Sequence, residues 1–423
     1  MERLARYIKL IRGFFRQIIL LTVLSSCSPY VQYLEKQETQ NIVVNKQKPK
    51  KLFCSKKPAL NIIHDSEFTQ IEFSRILQSL KETENYTITD LGLLLYFYQL
   101  KVRPDATDYN SRIQVIVRTG DELLYRDFFH QDENNLKNLV ATLKSSKLTS
   151  RSLKQLIHDQ RNHFPRKYTV QKKLNSFLDR NKTNESFLTS YKDSFFRIGK
   201  PLQKGETFRS TSVIKEIYNG MVSAPPPLFP LKISNNDGDS TLCNFDSKLY
   251  QKGIFLLSKE ESNSNIFGLV RANGDSILFI TSKDNSKNYK FSKKSFPGKA
   301  TKSNASVCFH KGENGYLDLI GYNSRDPGQI LYHLFNYGIS NSQTNADVVE
   351  YLTFPRHQFL TNPSRLIYES KRGTKEQLSY FLSFDFPVYH VEKLAGVNAL
   401  FGRKKTRTFI GDPRITTLQS CTN

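Results

Sequence analysis

No apolar run in this 423-residue chain reaches the roughly 18 residues of a membrane-spanning helix, which excludes a polytopic membrane protein. Cysteine is scarce, with five in all. None stands in a Cys-x-x-Cys pair or at zinc-finger distance from a His, so no structural zinc is expected. Acidic residues number 39 against 62 Lys and Arg, and the net charge of +23 points to anionic surroundings. The common catalytic signatures are also missing. There is no Gly-x-Ser-x-Gly elbow, no phosphate-binding Gly-x-x-x-x-Gly-Lys loop, no Gly-x-Gly-x-x-Gly and no His-Glu-x-x-His. Ser212-Val213-Ile214-Lys215 has penicillin-binding spacing but lacks the Ser-Asp-Asn and Lys-Thr-Gly partners that would give it meaning. No catalytic residue, cofactor or metal is therefore assigned by motif. Asn235, Asp237 and Asp239 alternate as calcium-loop oxygens would, but Ser240 and Asp246 fall where an EF-hand needs Gly and usually has Glu, so a solvated turn is expected.

The N-terminus carries the strongest signal. Arg3, Arg6, Lys9, Arg12 and Arg16 face a single acid, Glu2, and lead into Ile18-Ile19-Leu20-Leu21-Thr22-Val23-Leu24, a basic start and short greasy core of signal-peptide type. Leu24-Ser25-Ser26-Cys27 follows. This order resembles the lipobox of bacterial envelope lipoproteins, and the resemblance covers only the first 27 or so residues. It implies that Cys27 is acylated and becomes the first residue of the mature chain. Ser28, in place of Asp, implies the outer membrane over the inner one.

With Cys27 assigned to lipid, four cysteines remain, and an even remainder suits an oxidising compartment. The expected pairs are Cys54 with Cys421, joining the ends of the folded region, and Cys243 with Cys308, tying strands of one domain.

The sequence reads as α+β, a helical domain followed by a β-rich one. Residues 1–26 form the signal peptide. Residues 27–60 form a Lys-rich tether in which Lys46, Lys48, Lys50 and Lys51 could touch an anionic surface. Residues 61–223 are mainly helical, beginning at Ser66 as N-cap, with one strand over Arg112 to Arg118. The proline run at 224–230 marks the boundary. Residues 231–423 form a sandwich or twisted sheet, with a hairpin turning at Asn273-Gly274 and further turns at Gly312 to Gly315 and at Arg325-Asp326-Pro327-Gly328. A faint repeat of 36 to 40 residues, through Gly238-Asp239-Ser240, Gly274-Asp275-Ser276 and Asn314-Gly315-Tyr316, makes a degenerate FG-GAP-type propeller the alternative.

The eight histidines are expected to be surface residues, and Phe401 to Phe409 a charged hairpin tip. The expected partners are the membrane, through the lipid anchor, and an anionic lipid or envelope polymer, with nucleic acid not expected. These features suggest a non-catalytic binding or assembly role. A hydrolase anchored at the envelope polymer is the alternative.

Overall fold

The computed structural model describes residues 60–414, except 65, 81–82, 110, 121, 130–134, 186–187, 189–193, 210–239, 246–249, 251–261, 272, 285–298, 301–304, 313–314, 325, 361–363, 384–386, 404–405 and 413. Strand β1 (Leu60–His64) takes the last residue assigned to the tether. Ser66 then caps α1 (Glu67–Ser79), its hydroxyl accepting the Thr69 amide as expected. Helix α2 (Ile88–Val102) starts from a capping box in which Thr87 and Asp90 each accept the other's backbone N–H. Every residue of α2 but Lys101 is buried, and Gly92 allows its close approach to the sheet below: a Cβ there would sit 2.5 Å from the Ile277 side chain. Hairpin β2 (Arg112–Thr119) and β3 (Glu122–Phe128) is followed by α3 (Asn135–Ser145), α4 (Leu153–His163), β4 (Tyr168–Thr169) and α5 (Lys172–Asn181). Short strands β5 (Phe196–Arg197), β6 (Lys200–Pro201) and β7 (Thr207–Phe208) close this half.

The second half contributes β8 (Ser240–Cys243), β9 (Ser262–Arg271), β10 (Ser276–Asp284), β11 (Lys299–Ala300), β12 (Ser306–Gly312) and β13 (Gly315–Tyr322). Gly274, at φ +90°, makes the tight turn between β9 and β10 in the expected register. After β13 come α6 (Pro327–Asn336), α7 (Asn345–Thr353), β14 (His357–Leu360), β15 (Arg365–Tyr368), α8 (Lys375–Leu382), β16 (Val388–His390), β17 (Gly396–Arg403) and β18 (Thr406–Ile410).

The protein is mixed α+β, but its halves do not fold apart. One sheet runs β1-β9-β10-β2-β3, with β11 on β10, so strands from both sides of residues 224–230 pair with one another. The change of hydrophobic period in the sequence is real, but antiparallel pairing is non-local and ignores it. A second sheet runs β18-β17-β13-β12-β8. The three copies of the faint repeat fall on different sheets, β10 in the first, β8 and β13 in the second, which replaces the propeller reading with two stacked sheets.

Alternation along the strands explains the stacking. Ile116, Ile266, Leu278 and Ile280 of the first sheet share an apolar cluster with Val307, Phe309, Ile320 and Leu400 of the second. Residues of the opposite parity, such as Phe267, Phe279, Val115 and Val117, pack with α1 and α2. The outer face of the second sheet is covered by α6 and α7 through Leu317, Leu319, Val397, Ile330, Leu331 and Val348. The layer order is thus helix, sheet, sheet, helix. A buried ion pair between Arg118 and Asp318 crosses between the sheets.

The second half is therefore not simply β-rich. Asp326-Pro327-Gly328 opens a helix where a turn was expected: Asp326 accepts the Gln329 amide at 3.2 Å and Pro327 occupies the first turn, where a missing N–H costs nothing. Phe401 and Phe409 do flank a hairpin, β17 to β18, but both rings pack into apolar clusters and are not free to stack on bases.

Candidate functional site

The two sheets bring polar side chains together at one end of the sandwich, around the start of β9. Neighbouring residues there point to opposite faces. Ser264 has the parity of Ile266 and faces the second sheet, while Asn265 has the parity of Phe267 and faces α2. The Ser264 hydroxyl donates to Asn323 Oδ1 at 3.2 Å. Asn323 follows β13 directly and holds φ +54°, a left-handed conformation that Asn tolerates better than most residues. Ser282 lies opposite Ser264 on β10, so two hydroxyl side chains share this end of the inter-sheet face.

Beneath Ser264, Asn265 enters a fully buried polar network. Its amide donates to Gln99 Oε1 at 2.9 Å and to Thr107 Oγ1 at 3.2 Å, and Thr107 meets Thr281 at 2.8 Å. Arg103, 1% exposed, donates two 2.9 Å bonds to the Asp105 carboxylate and one of 3.4 Å to Asn265 Oδ1. His64 Nδ1 accepts the Ser66 amide at 2.9 Å, so the other ring nitrogen carries the proton and donates to Gln99 Oε1 at 3.3 Å. The Gln99 amide nitrogen is buried with no hydrogen-bond partner. Lys283 and Asp108 form a further pair at 3.0 Å, and burial pushes the Asp108 carboxyl up despite the Lys283 charge.

So dense a buried polar network costs desolvation that an apolar core would avoid, which marks this end of the sandwich as the candidate site. It places a partly exposed hydroxyl, Ser264, at the end of the inter-sheet face and locks the adjacent backbone through Asn265. Among the described residues no His or carboxylate hydrogen-bonds the Ser264 hydroxyl, so the base for any nucleophilic role must come from elsewhere. No group of three or more His, Cys, Asp or Glu able to hold a metal occurs among the described residues.

Of the residues singled out in the sequence, Cys243 and Cys308 are joined by a disulfide across the paired strands β8 and β12, with Cα atoms 4.1 Å apart. Cys27, Cys54, Cys421, Lys46, Lys48, Lys50 and Lys51 lie outside the described residues, as do Ser212 to Lys215, Asn235, Asp237 and Asp239. The histidines are not all on the surface. His64 and His310 are buried, and His333 stacks on His357 with ring centroids 4.1 Å apart. Burial holds both stacked rings below the usual imidazole value, His333 down at about 4. The Ser264 site itself escaped motif reading. Its one trace in the sequence is the polar pair Gln99 and Arg103, four apart at the end of the apolar segment Leu91 to Leu100.

No protein-family model matches the chain, and no curated protein matches it in sequence. Solved structures do match in fold. A cephalosporin acylase from Bacillus halodurans superposes with a TM-score of 0.54 at 11% identity, covering 89% of this chain and 99% of that one. A structure of LmbA2991 gives a TM-score of 0.59 at 8% identity, covering 87% of this chain and 99% of that one. The arrangement of helices and stacked sheets is thus shared with these two structures. At these identities the likeness concerns the fold alone.

Proposed function

We propose that this is a lipid-anchored protein of the bacterial cell envelope, held at the outer membrane through Cys27, whose two-sheet domain hydrolyses an acyl–amide bond of an envelope polymer with Ser264 as nucleophile. The observation that carries the reading is Ser264 itself, a partly exposed hydroxyl at the end of the inter-sheet face, in a fold shared with a cephalosporin acylase. The basic start, greasy core and Leu24-Ser25-Ser26-Cys27 support the anchor. The Cys243–Cys308 disulfide is in keeping with an oxidising compartment.

A Ser with no neighbouring base gains one if its own α-amine is freed, since that amine lies within reach of the hydroxyl. The required step balances without a cofactor. The Ser264 hydroxyl oxygen adds to the Asn263 carbonyl carbon and the C–N bond breaks. The nitrogen keeps its own proton and takes up the one from the hydroxyl, leaving as the Ser264 amine. Water then hydrolyses the ester to the Asn263 carboxylate and a free Ser264 hydroxyl. The freed amine then takes the hydroxyl proton as Ser264 attacks an acyl–amide substrate.

This scheme has a consequence peculiar to the chain. Cys243 lies before the cut and Cys308 after it, so the disulfide would hold the two pieces together. Native protein should run as one band without reductant and as two with it, and the smaller piece should begin at Ser264. Ser264→Ala should stay whole and lose hydrolysis of a chromogenic acyl anilide. Mass spectrometry should find Cys27 acylated, and Cys27→Ala should leave the membrane fraction; an unmodified Cys27 in native protein would remove the anchor from the reading.

The second reading is a non-catalytic binding or assembly role. It is favoured by the engagement of His64, Arg103 and Lys283 in internal bonds, which leaves Ser264 without an acid or base among the described side chains. An uncut native chain with no acyl–amide hydrolysis would select it.

A further inference from the structure

The hairpin β5 to β6 ends in Ile198-Gly199, with φ +51° and +73°, the left-handed pair of a type I′ turn. Gly suits such a turn, but a β-branched residue at positive φ is an outlier. Ile198 is also fully exposed, at 102% of its reference area, so its side chain adds nothing to the core in return. The base of the hairpin is firmly held: Phe195 and Leu202 are buried, and the Leu202 amide donates to the Phe195 carbonyl at 2.8 Å. A rigid stem therefore projects a strained apolar tip into solvent.

The segment that carries the hairpin is strongly basic. Between residues 161 and 209 the described residues include eleven Lys and Arg, all exposed, against three acids. Arg197 and Lys200 flank the tip directly. Arg197 is partly engaged, with Glu206 at 3.5 Å and the Thr207 carbonyl at 3.0 Å, but remains 61% exposed. A soluble polyanion would reward the charges and ignore Ile198. An anionic lipid surface rewards both, because head groups pair with the cations while the Ile side chain leaves water for the acyl boundary.

We propose that the Ile198 hairpin, with its flanking Arg197 and Lys200 and the exposed cations of the segment that carries it, is a membrane-contact surface of the folded domain, with Ile198 entering the acyl boundary of an anionic lipid layer. This contact is independent of the Ser264 chemistry and adds to any lipid anchor, setting the orientation of the domain on the membrane.

The sequence contains no Trp, so Ile198→Trp places a sole indole reporter at the tip. The full-length chain carrying Cys27→Ala, which removes the acyl anchor, is mixed with vesicles of phosphatidylglycerol and phosphatidylcholine, with phosphatidylcholine alone, and with soluble polyphosphate. The expected result is a blue-shifted emission, quenched by brominated acyl chains, on the anionic vesicles only. Ile198→Gly suits the left-handed turn and keeps the fold, yet should bind those vesicles about tenfold more weakly, the loss of one buried Ile side chain. An unshifted Trp on vesicles that still sediment the protein would overturn the proposal. So would failure to sediment, unchanged affinity of Ile198→Gly, or the same shift with polyphosphate, which would assign the surface to a polymer.

Discussion

Removal of the Cys243–Cys308 bridge provides a calibrated test of how the second sheet is held. The two residues face one another on β8 and β12, 65 apart in sequence, and β9 and β10 of the first sheet lie inside the closed loop. In the chain-entropy account a loop of that length restricts the unfolded state by about 4 kcal/mol at 25 °C. Spread over the unfolding entropy of the roughly 260 described residues, at roughly 2.1 cal/mol/K each, this corresponds to a fall in Tm of about 7 °C. The double change Cys243→Ala with Cys308→Ala should be compared with its parent by thermal melting, both carrying Ser264→Ala so that any chain cut cannot contribute. Reductant should lower the parent melt by a similar amount more than it lowers the double variant, where only the expected Cys54–Cys421 pair is left to respond. A difference under about 1 °C, or a reductant effect as large in the double variant, would refute the loop argument.

Two further outcomes follow from buried charge. Arg118→Ala leaves Asp318 buried without its partner between the sheets and should cost about 3–5 kcal/mol in urea unfolding. Arg118→Met with Asp318→Leu should recover most of that, and a loss under about 1 kcal/mol in the single variant would contradict the pairing. Burial depresses His333 to about 4, so below about pH 6.5 the unfolded chain takes up a proton that the folded one refuses. Stability should therefore fall on acidification from about pH 6.5 to 4, by up to about 3 kcal/mol from this ring, and His333→Gln should flatten that slope.

Local signals in the sequence proved readable where the local structure decides the conformation. Ser66 caps its helix, Asn273-Gly274 turns its hairpin, and Cys243 and Cys308 meet across strands. Helix α2 escaped because it is packed on nearly all sides, so its residues are almost uniformly apolar and show no amphipathic stripe. The start of α6 was misread because Asp-Pro-Gly serves a turn and a helix N-terminus equally well. The domain split at 224–230 failed for a different reason. Which strands pair across more than 150 residues, β1 with β9 and β10 with β2, depends on packing partners that no window of sequence contains. The same non-locality hid the site, since Ser264 acquires its neighbour Asn323 only when both sheets are assembled.

The most direct measurement on the central claim is the N-terminal sequence of each chain of the native protein, isolated from envelopes, alkylated, and separated with and without reductant. A piece beginning at Ser264, released only when the Cys243–Cys308 bridge is reduced, and absent from Ser264→Ala, is the result the hydrolase account predicts. A single uncut chain in both proteins, with acyl–amide hydrolysis the same before and after Ser264→Ala, would contradict it.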